Sequence, residues 1–150
     1  MAAPDVGVGD GPGTYVLWFQ LERDREIEVG RLGRFHVSAG IYAYVGSARG
    51  PGGVAARVAR HLRRSRSSHW HVDYLRAEAE PVGVWWAAGG GRRECAWAAA
   101  LARMPRATLP VAGFGASDCR CSTHLIRFPA LPTAPAFARA VGQPVMEVRI

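Results

Sequence analysis

Residues 40–53, GIYAYVGSARGPGG, set two tyrosines two positions apart and then give way to glycine. Tyr42 and Tyr44 alternate with Ile41, Ala43 and Val45, which is the period of a strand. On that reading both phenols point to one side of a sheet. Gly46 to Gly53 then turn the chain into a helix expected over about 54–64. Within it Val54, Val58 and Leu62 recur at four-residue spacing and should face a core, while Arg57, His61 and Arg64 form a neighbouring stripe. A glycine turn feeding a helix N-terminus favours anions. The turn lacks the Gly-Lys-Ser/Thr ending of a nucleotide P-loop, which argues against an NTPase.

Working outward, residues 1–12 are rich in Gly and Pro and read as a flexible lead. TYVLWFQL (14–21) is a β-branched and aromatic run, the mark of a buried strand. IEVGRL and RFHV look like short strands around Gly33. HWHVDYLRAEA (69–79) predicts a short second helix, VGVWWAA (82–88) a strand and ECAWAAALARM (94–104) a strong helix. GFGASDCRCSTHLIRF (113–128) starts as a loop and closes on a strand. Residues 129–150 read as a Pro/Ala-rich extension, with PALPTAPAFA a spacer and the last residues a tail strand. Hairpin-linked strands with helices to one side indicate an α+β domain built on a small antiparallel sheet.

The chain has 150 residues, enough for one domain with a proper core. Its first residues hold neither a basic segment nor an apolar run, so no signal peptide is expected. No stretch approaches the roughly 20 apolar residues of a membrane span. Cys95, Cys119 and Cys121 are an odd number, which predicts no disulfide framework and a reducing cytoplasm. The net charge of +7 suggests an anionic partner, nucleic acid first. All 19 basic residues are Arg, and the chain has neither Lys nor Asn, so a GC-rich genome accounts for part of the excess. The clustering of Arg57, Arg60, Arg63, Arg64 and Arg66 survives that discount.

The ordered set resembles the GIY-YIG nuclease family, whose fold is a small antiparallel sheet with helices packed on it. The literal GIY at 40–42 is not the first motif, because the family's two motifs lie on separate neighbouring strands. Gly13-Thr14-Tyr15 matches the first and Tyr44-Val45-Gly46 the second. Arg57 and His61 match the Arg-x-x-x-His of the first helix, and Glu94 the metal-binding Glu of the helix after the third strand. More closely, GTYVL, GIYAYVGSA, GPGG, RHL, HWHVDYL, EC and GFGASDCRCSTHL look like one subfamily. It is a GIY-YIG-like domain sometimes attached to DNA glycosylases of the endonuclease III type. The resemblance covers about residues 13–128. There are two departures. The gap between Tyr15 and Tyr44 is longer than usual, which implies an inserted hairpin, and Ser47-Ala48 stand where Lys-Thr is usual.

The resemblance implies a metal-dependent nuclease acting on DNA in repair or processing, with Tyr15, Tyr44, Arg57, His61 and Glu94 at its site. These residue types suit the chemistry. Cutting a phosphodiester needs an activated water, neutralised phosphoryl charge and help for the leaving oxygen. Glu94 can hold Mg²⁺ or another divalent cation, and Arg57 offers a planar fork for phosphate. A tyrosine ionises near pH 10, so as a base it needs positive charge beside it. Tyr15 is the first choice for that role or for positioning the water, with Tyr44 its partner and Tyr42 left to packing or substrate support. Arg60, Arg63, Arg64 and Arg66 are expected along the nucleic-acid backbone.

The tail carries a second signal. Cys119, Cys121 and His124 are candidate zinc ligands, with Asp118, Cys95 or His71 as the fourth. His69, His71 and Asp73 either line the site, or Trp70 and Tyr74 simply pack their helix. Two other function classes stay open: a non-catalytic nucleic-acid-binding or accessory module, and a zinc-stabilised interaction domain.

Overall fold

Each of the three long strands of this protein is apolar on both faces, and that property decides the architecture. The computed structural model describes residues 7–63, 70–116, 119 and 121–150. In chain order the elements are β1 (Gly13–Leu21), β2 (Arg25–Glu28), a 3-10 turn (Gly30–Leu32), β3 (Arg34–Val37), β4 (Gly40–Ala48), α1 (Gly53–Leu62), α2 (His71–Arg76), β5 (Glu80–Ala88), α3 (Glu94–Ala102), β6 (Leu125–Phe128), α4 (Ala134–Val141) and β7 (Met146–Arg149). The main sheet has five strands in the order β6-β4-β1-β5-β7, every neighbouring pair antiparallel. β2 and β3 pair separately, between the two central strands in sequence.

Alternation along β1 sends Tyr15, Leu17 and Phe19 to one side and Val16 and Trp18 to the other. The first set joins Tyr42 and Tyr44 from β4 and is covered by Val54, Val58 and Leu62 of α1 and Val72 and Leu75 of α2. The second joins Ala43, Val45, Trp85 and Phe128 and is covered by Trp97, Ala98 and Leu101 of α3 and Phe137 of α4. The expectation of helices on one side is therefore corrected: helices cover both faces. The physical reason is the second apolar face, which a single layer of helices would leave in water.

The C-terminal residues also differ from expectation. Residues 134–141, of which 134–138 were read above as part of a spacer, form α4. Pro135 lies in the first turn, where its missing N–H is no loss, and the Thr133 hydroxyl accepts from the Ala136 N–H. Phe137 is fully buried against Trp85 and Trp97, so the helix is held by packing. The expected tail strand is β7, hydrogen-bonded to β5. Among the described residues no helix is long and apolar enough to cross a membrane.

Candidate active-site cleft and cysteine–histidine cluster

Tyr15 pairs in register with Gly46, and Leu17 with Tyr44, so the two tyrosines are diagonal neighbours on the α1 face of adjacent antiparallel strands. The Tyr15 ring crosses directly over Gly46. A Cβ at Gly46 would stand 2.5 Å from the Tyr15 hydroxyl oxygen and 2.6 Å from Cζ, so only glycine fits opposite this tyrosine. Gly13 makes room in the same way, with a Cβ there meeting the Ala87 carbonyl at 2.5 Å and Val54 at 2.8 Å. The glycines at both ends of these motifs thus let β1, β4, β5 and α1 close on one another.

From α1, one turn apart, come Arg57 and His61. His61 is fully buried, and its Nε2 is 3.1 Å from the Tyr15 hydroxyl. Its ring also meets Tyr44 and Trp70 edge-on. Its Nδ1 is buried and has no hydrogen-bond partner among the described residues. Burial, reinforced by Arg57 and Arg60 and opposed by Asp73, pushes the imidazole down to about 4, so it is neutral at physiological pH. Arg57 lies over the Trp70 ring, 4.6 Å from its centroid, which fixes the guanidinium as a flat plate.

Burial raises the Tyr15 hydroxyl well above the ordinary tyrosine value, and Tyr44 adds to the rise; the guanidinium of Arg57 works the other way without overcoming it. Burial likewise lifts Tyr44 to about 12, against the pull of Arg57. Of the positive charges expected to prepare a tyrosine base, from Arg57, His61 and a bound metal, Arg57 lowers both hydroxyls but burial outweighs it. Desolvation wins over the single cation, and both phenols are protonated at rest.

Glu94 opens α3. Ser47, one position past the motif glycine, points by alternation to the α3 side and donates a 2.6 Å hydrogen bond to Glu94 Oε2. Burial works to raise this carboxyl, but the Ser47 hydroxyl, its own backbone N–H, His124 and Arg49 outweigh it and hold it below its usual value. Tyr15, Tyr44, Ser47, Arg57, Trp70 and Glu94 share one open cleft of about 250 Å³, with Arg92, Gly115, Cys119 and His124 also on its walls.

Other expected site residues fall elsewhere. Arg60 is committed to a bidentate pair with Asp73, at 3.2 and 3.1 Å, and so ties α1 to α2. Arg63 is exposed just after α1, while Arg64, Arg66, His69 and Asp118 lie outside the described residues. Asp73 also accepts from the Trp70 N–H, and His71 Nδ1 accepts from the Gly115 N–H at 2.7 Å, so both hold the backbone around the cleft. Tyr42 donates to the Ser38 carbonyl and packs, as expected. Sequence reasoning missed Ser47, Trp70 and Arg92. Only Ser47 had a usable signal, since alternation from Val45 puts it on the α3 face.

Beside the cleft, Cys95 from α3 meets Cys119, Cys121 and His124, with all four ligand atoms within 4.8 Å of one another. Such a set can hold a metal such as zinc. Cys95 is therefore the fourth member, and His71 is engaged elsewhere. Contrary to the expectation from cysteine count, Cys95 and Cys121 are joined as a disulfide and Cys119 is free. They are distant in sequence, and the fold brings the start of α3 onto the loop before β6.

No curated protein and no solved structure matches the chain. A family model does, over residues 14–146, a span that takes in both central strands, the cleft, the cysteine–histidine cluster and α4. On that match the chain belongs to the family described as domain of unknown function DUF123.

Proposed function

We propose that the cleft hydrolyses phosphodiester bonds in DNA with the help of a divalent cation, as the likeness to GIY-YIG nucleases suggests. The supporting observation is convergence. Tyr15, Tyr44, Arg57 and Glu94 come from four separate elements and meet at one opening. In this reading the β2–β3 pair is the insertion between the motif strands, and association with a DNA glycosylase in the cytoplasm belongs to the same proposal.

The residues divide the work as follows. Arg57, flattened on Trp70, grips a phosphoryl oxygen through its fork. The Tyr15 hydroxyl takes a proton from the attacking water as it passes its own to His61 Nε2, 3.1 Å away. This relay suits a raised tyrosine, which never has to exist as a free phenolate. The charge of Asp73 favours the imidazolium that results, against burial and the charges of Arg57 and Arg60. Ser47 orients the Glu94 carboxylate. A cation such as Mg²⁺, bound there, would neutralise phosphoryl charge and make the water easier to deprotonate. The softer cysteine–histidine group suits zinc instead.

The competing reading is a nucleic-acid-binding module without turnover, favoured by the raised tyrosines. A panel of branched, nicked and damaged DNA, with and without Mg²⁺, separates the two. Glu94→Gln should leave the thermal melt within a degree or so and abolish Mg²⁺-dependent cutting, since a metal supplies several kcal/mol at the transition state. Wild-type rates in that variant would end the mechanism, and a wild type that binds but never cuts would promote the module.

A further inference from the structure

All three cysteines of the chain meet at one place, and one histidine meets them there. A disulfide alone would account for Cys95 and Cys121. It would not account for Cys119, whose sulfur lies 3.3 Å from His124 Nε2, nor for the 3.7 Å between that nitrogen and Cys95. In tetrahedral zinc with thiolate and imidazole ligands, a sulfur and a nitrogen donor stand about 3.5 Å apart, as follows from bonds of about 2.3 and 2.0 Å. The two distances to His124 bracket that edge.

His124 is placed by its backbone as a metal ligand should be. Its N–H donates to the Phe114 carbonyl and its carbonyl accepts from the Val45 N–H. The residue is buried, and the ring is aimed at the sulfurs. Three ligands come from the loop before β6 and one from the first turn of α3, so a shared ion would clamp that loop to that helix.

We propose that Cys95, Cys119, Cys121 and His124 are a closed structural zinc site in the reduced chain, and that zinc and the Cys95–Cys121 disulfide are alternative states of it. The exchange balances with a dithiol as the reductant. One of its thiolates attacks a sulfur of the Cys95–Cys121 bond, giving a mixed disulfide and one protein thiol. The reductant's second thiol closes on the first and releases the other cysteine. Two electrons and two protons have reached the protein, and the dithiol has become a disulfide. Zinc then takes three thiolates and the neutral imidazole, and three protons leave. Oxidation by a disulfide reverses the sequence and expels the ion. Four-ligand closure leaves no open position, so this zinc braces the fold and performs no chemistry. Because Cys95 follows Glu94 directly, and Cys119 and His124 also line the cleft, the brace sets the wall against which Glu94 stands.

The site stands independently of the nuclease reading, and its test needs no nucleic acid. The full chain, reduced anaerobically with dithiothreitol and then freed of it, is titrated with Zn²⁺ and in parallel with Co²⁺. One zinc per chain should survive gel filtration, and Co²⁺ should show the absorption of tetrahedral thiolate coordination. The disulfide form, identified by a single free thiol, should retain neither. Cys119→Ser keeps the Cys95–Cys121 pair, so it should oxidise normally yet lose at least tenfold in zinc affinity when reduced. Three results would each overturn the proposal: a folded, reduced wild type that holds no metal, a disulfide form that holds as much as the reduced one, or a Cys119→Ser chain that binds zinc as tightly as wild type.

Discussion

Replacing His61 by glutamine should flatten the acid limb of the protein's stability curve. His61 is fully buried and its imidazole sits at about 4, against 6.5 in an unfolded chain. Its folded value is depressed, so below the unfolded value the unfolded chain binds a proton that the folded chain refuses. Its contribution is thus fully present above about pH 6.5, declines as pH falls, and levels off near pH 4. Between pH 8 and pH 4.5 the two titrations differ by about 2.5 kcal/mol, roughly the full effect of a sizeable core mutation. His71, His124 and Glu94 are all lowered as well and push in the same direction. The wild-type curve alone would therefore not identify His61. The difference between wild type and His61→Gln does, because glutamine does not titrate while the other three groups remain. Urea unfolding followed by circular dichroism at half-unit intervals from pH 8 to 4.5 reads it directly. The gap between the two curves should close by about 2 to 3 kcal/mol toward the acid end. Parallel curves would mean that His61 titrates in the folded protein as it does in the unfolded chain, and the desolvated setting described for it would fall.

Gly46→Ala should destabilise by about 1–3 kcal/mol, because the new methyl meets the Tyr15 ring at 2.5 and 2.6 Å and nothing but movement of Tyr15 relieves it; unchanged urea unfolding would show that Tyr15 is not fixed there. Asp73→Ala leaves Arg60 without its bidentate partner and the Trp70 N–H without its acceptor, and should cost about 3–5 kcal/mol in the same assay, with a loss under 1 kcal/mol refuting the pairing. If Arg57 and Arg63 contact phosphates, their joint replacement by alanine should reduce the slope of log affinity against log salt by about 2, measured by anisotropy on labelled DNA; an unchanged slope would remove both from the interface.

The central strands and α1 were legible because β-branched and aromatic residues, alternation and four-residue spacing agree there. That Tyr15 and Tyr44 share one face of adjacent strands followed from alternation together with the motif assignment that the resemblance implies, while their diagonal register appears only in the structure. α4 was not legible. Pro132 and Pro135 read as breakers, and the cap at Thr133 and the aromatic seat for Phe137 exist only in three dimensions. The second helical layer was signalled by Val16 and Trp18 alternating with Tyr15 and Leu17, since a strand with no polar face needs cover on both. Within the cleft, Trp70 and Arg92 carry no local pattern that separates them from surface residues. The loss of water that raises both tyrosine hydroxyls was not legible, because counting nearby charges says nothing about desolvation. Cys95 was one of three candidates for the fourth place beside Cys119, Cys121 and His124, and spacing rules could not choose among them because the choice rests on the approach of two elements far apart in sequence.

The sheet order also bears on how the chain assembles. β1 comes first among the described strands, yet it lies in the middle, with β4 on one side and β5 on the other. Its two rows of backbone hydrogen bonds close only after Ala88 has been synthesised, and until then its apolar faces have no complete partner. Pairings at such sequence separation form slowly, since a loop must close before the contacts stabilise it. β6 and β7 add afterwards, one at each edge of a sheet whose centre already exists. On the ribosome, then, β1 can pair with β4 and take the cover of α1 and α2, while its other edge and its second apolar face wait for β5 and α3, not yet translated.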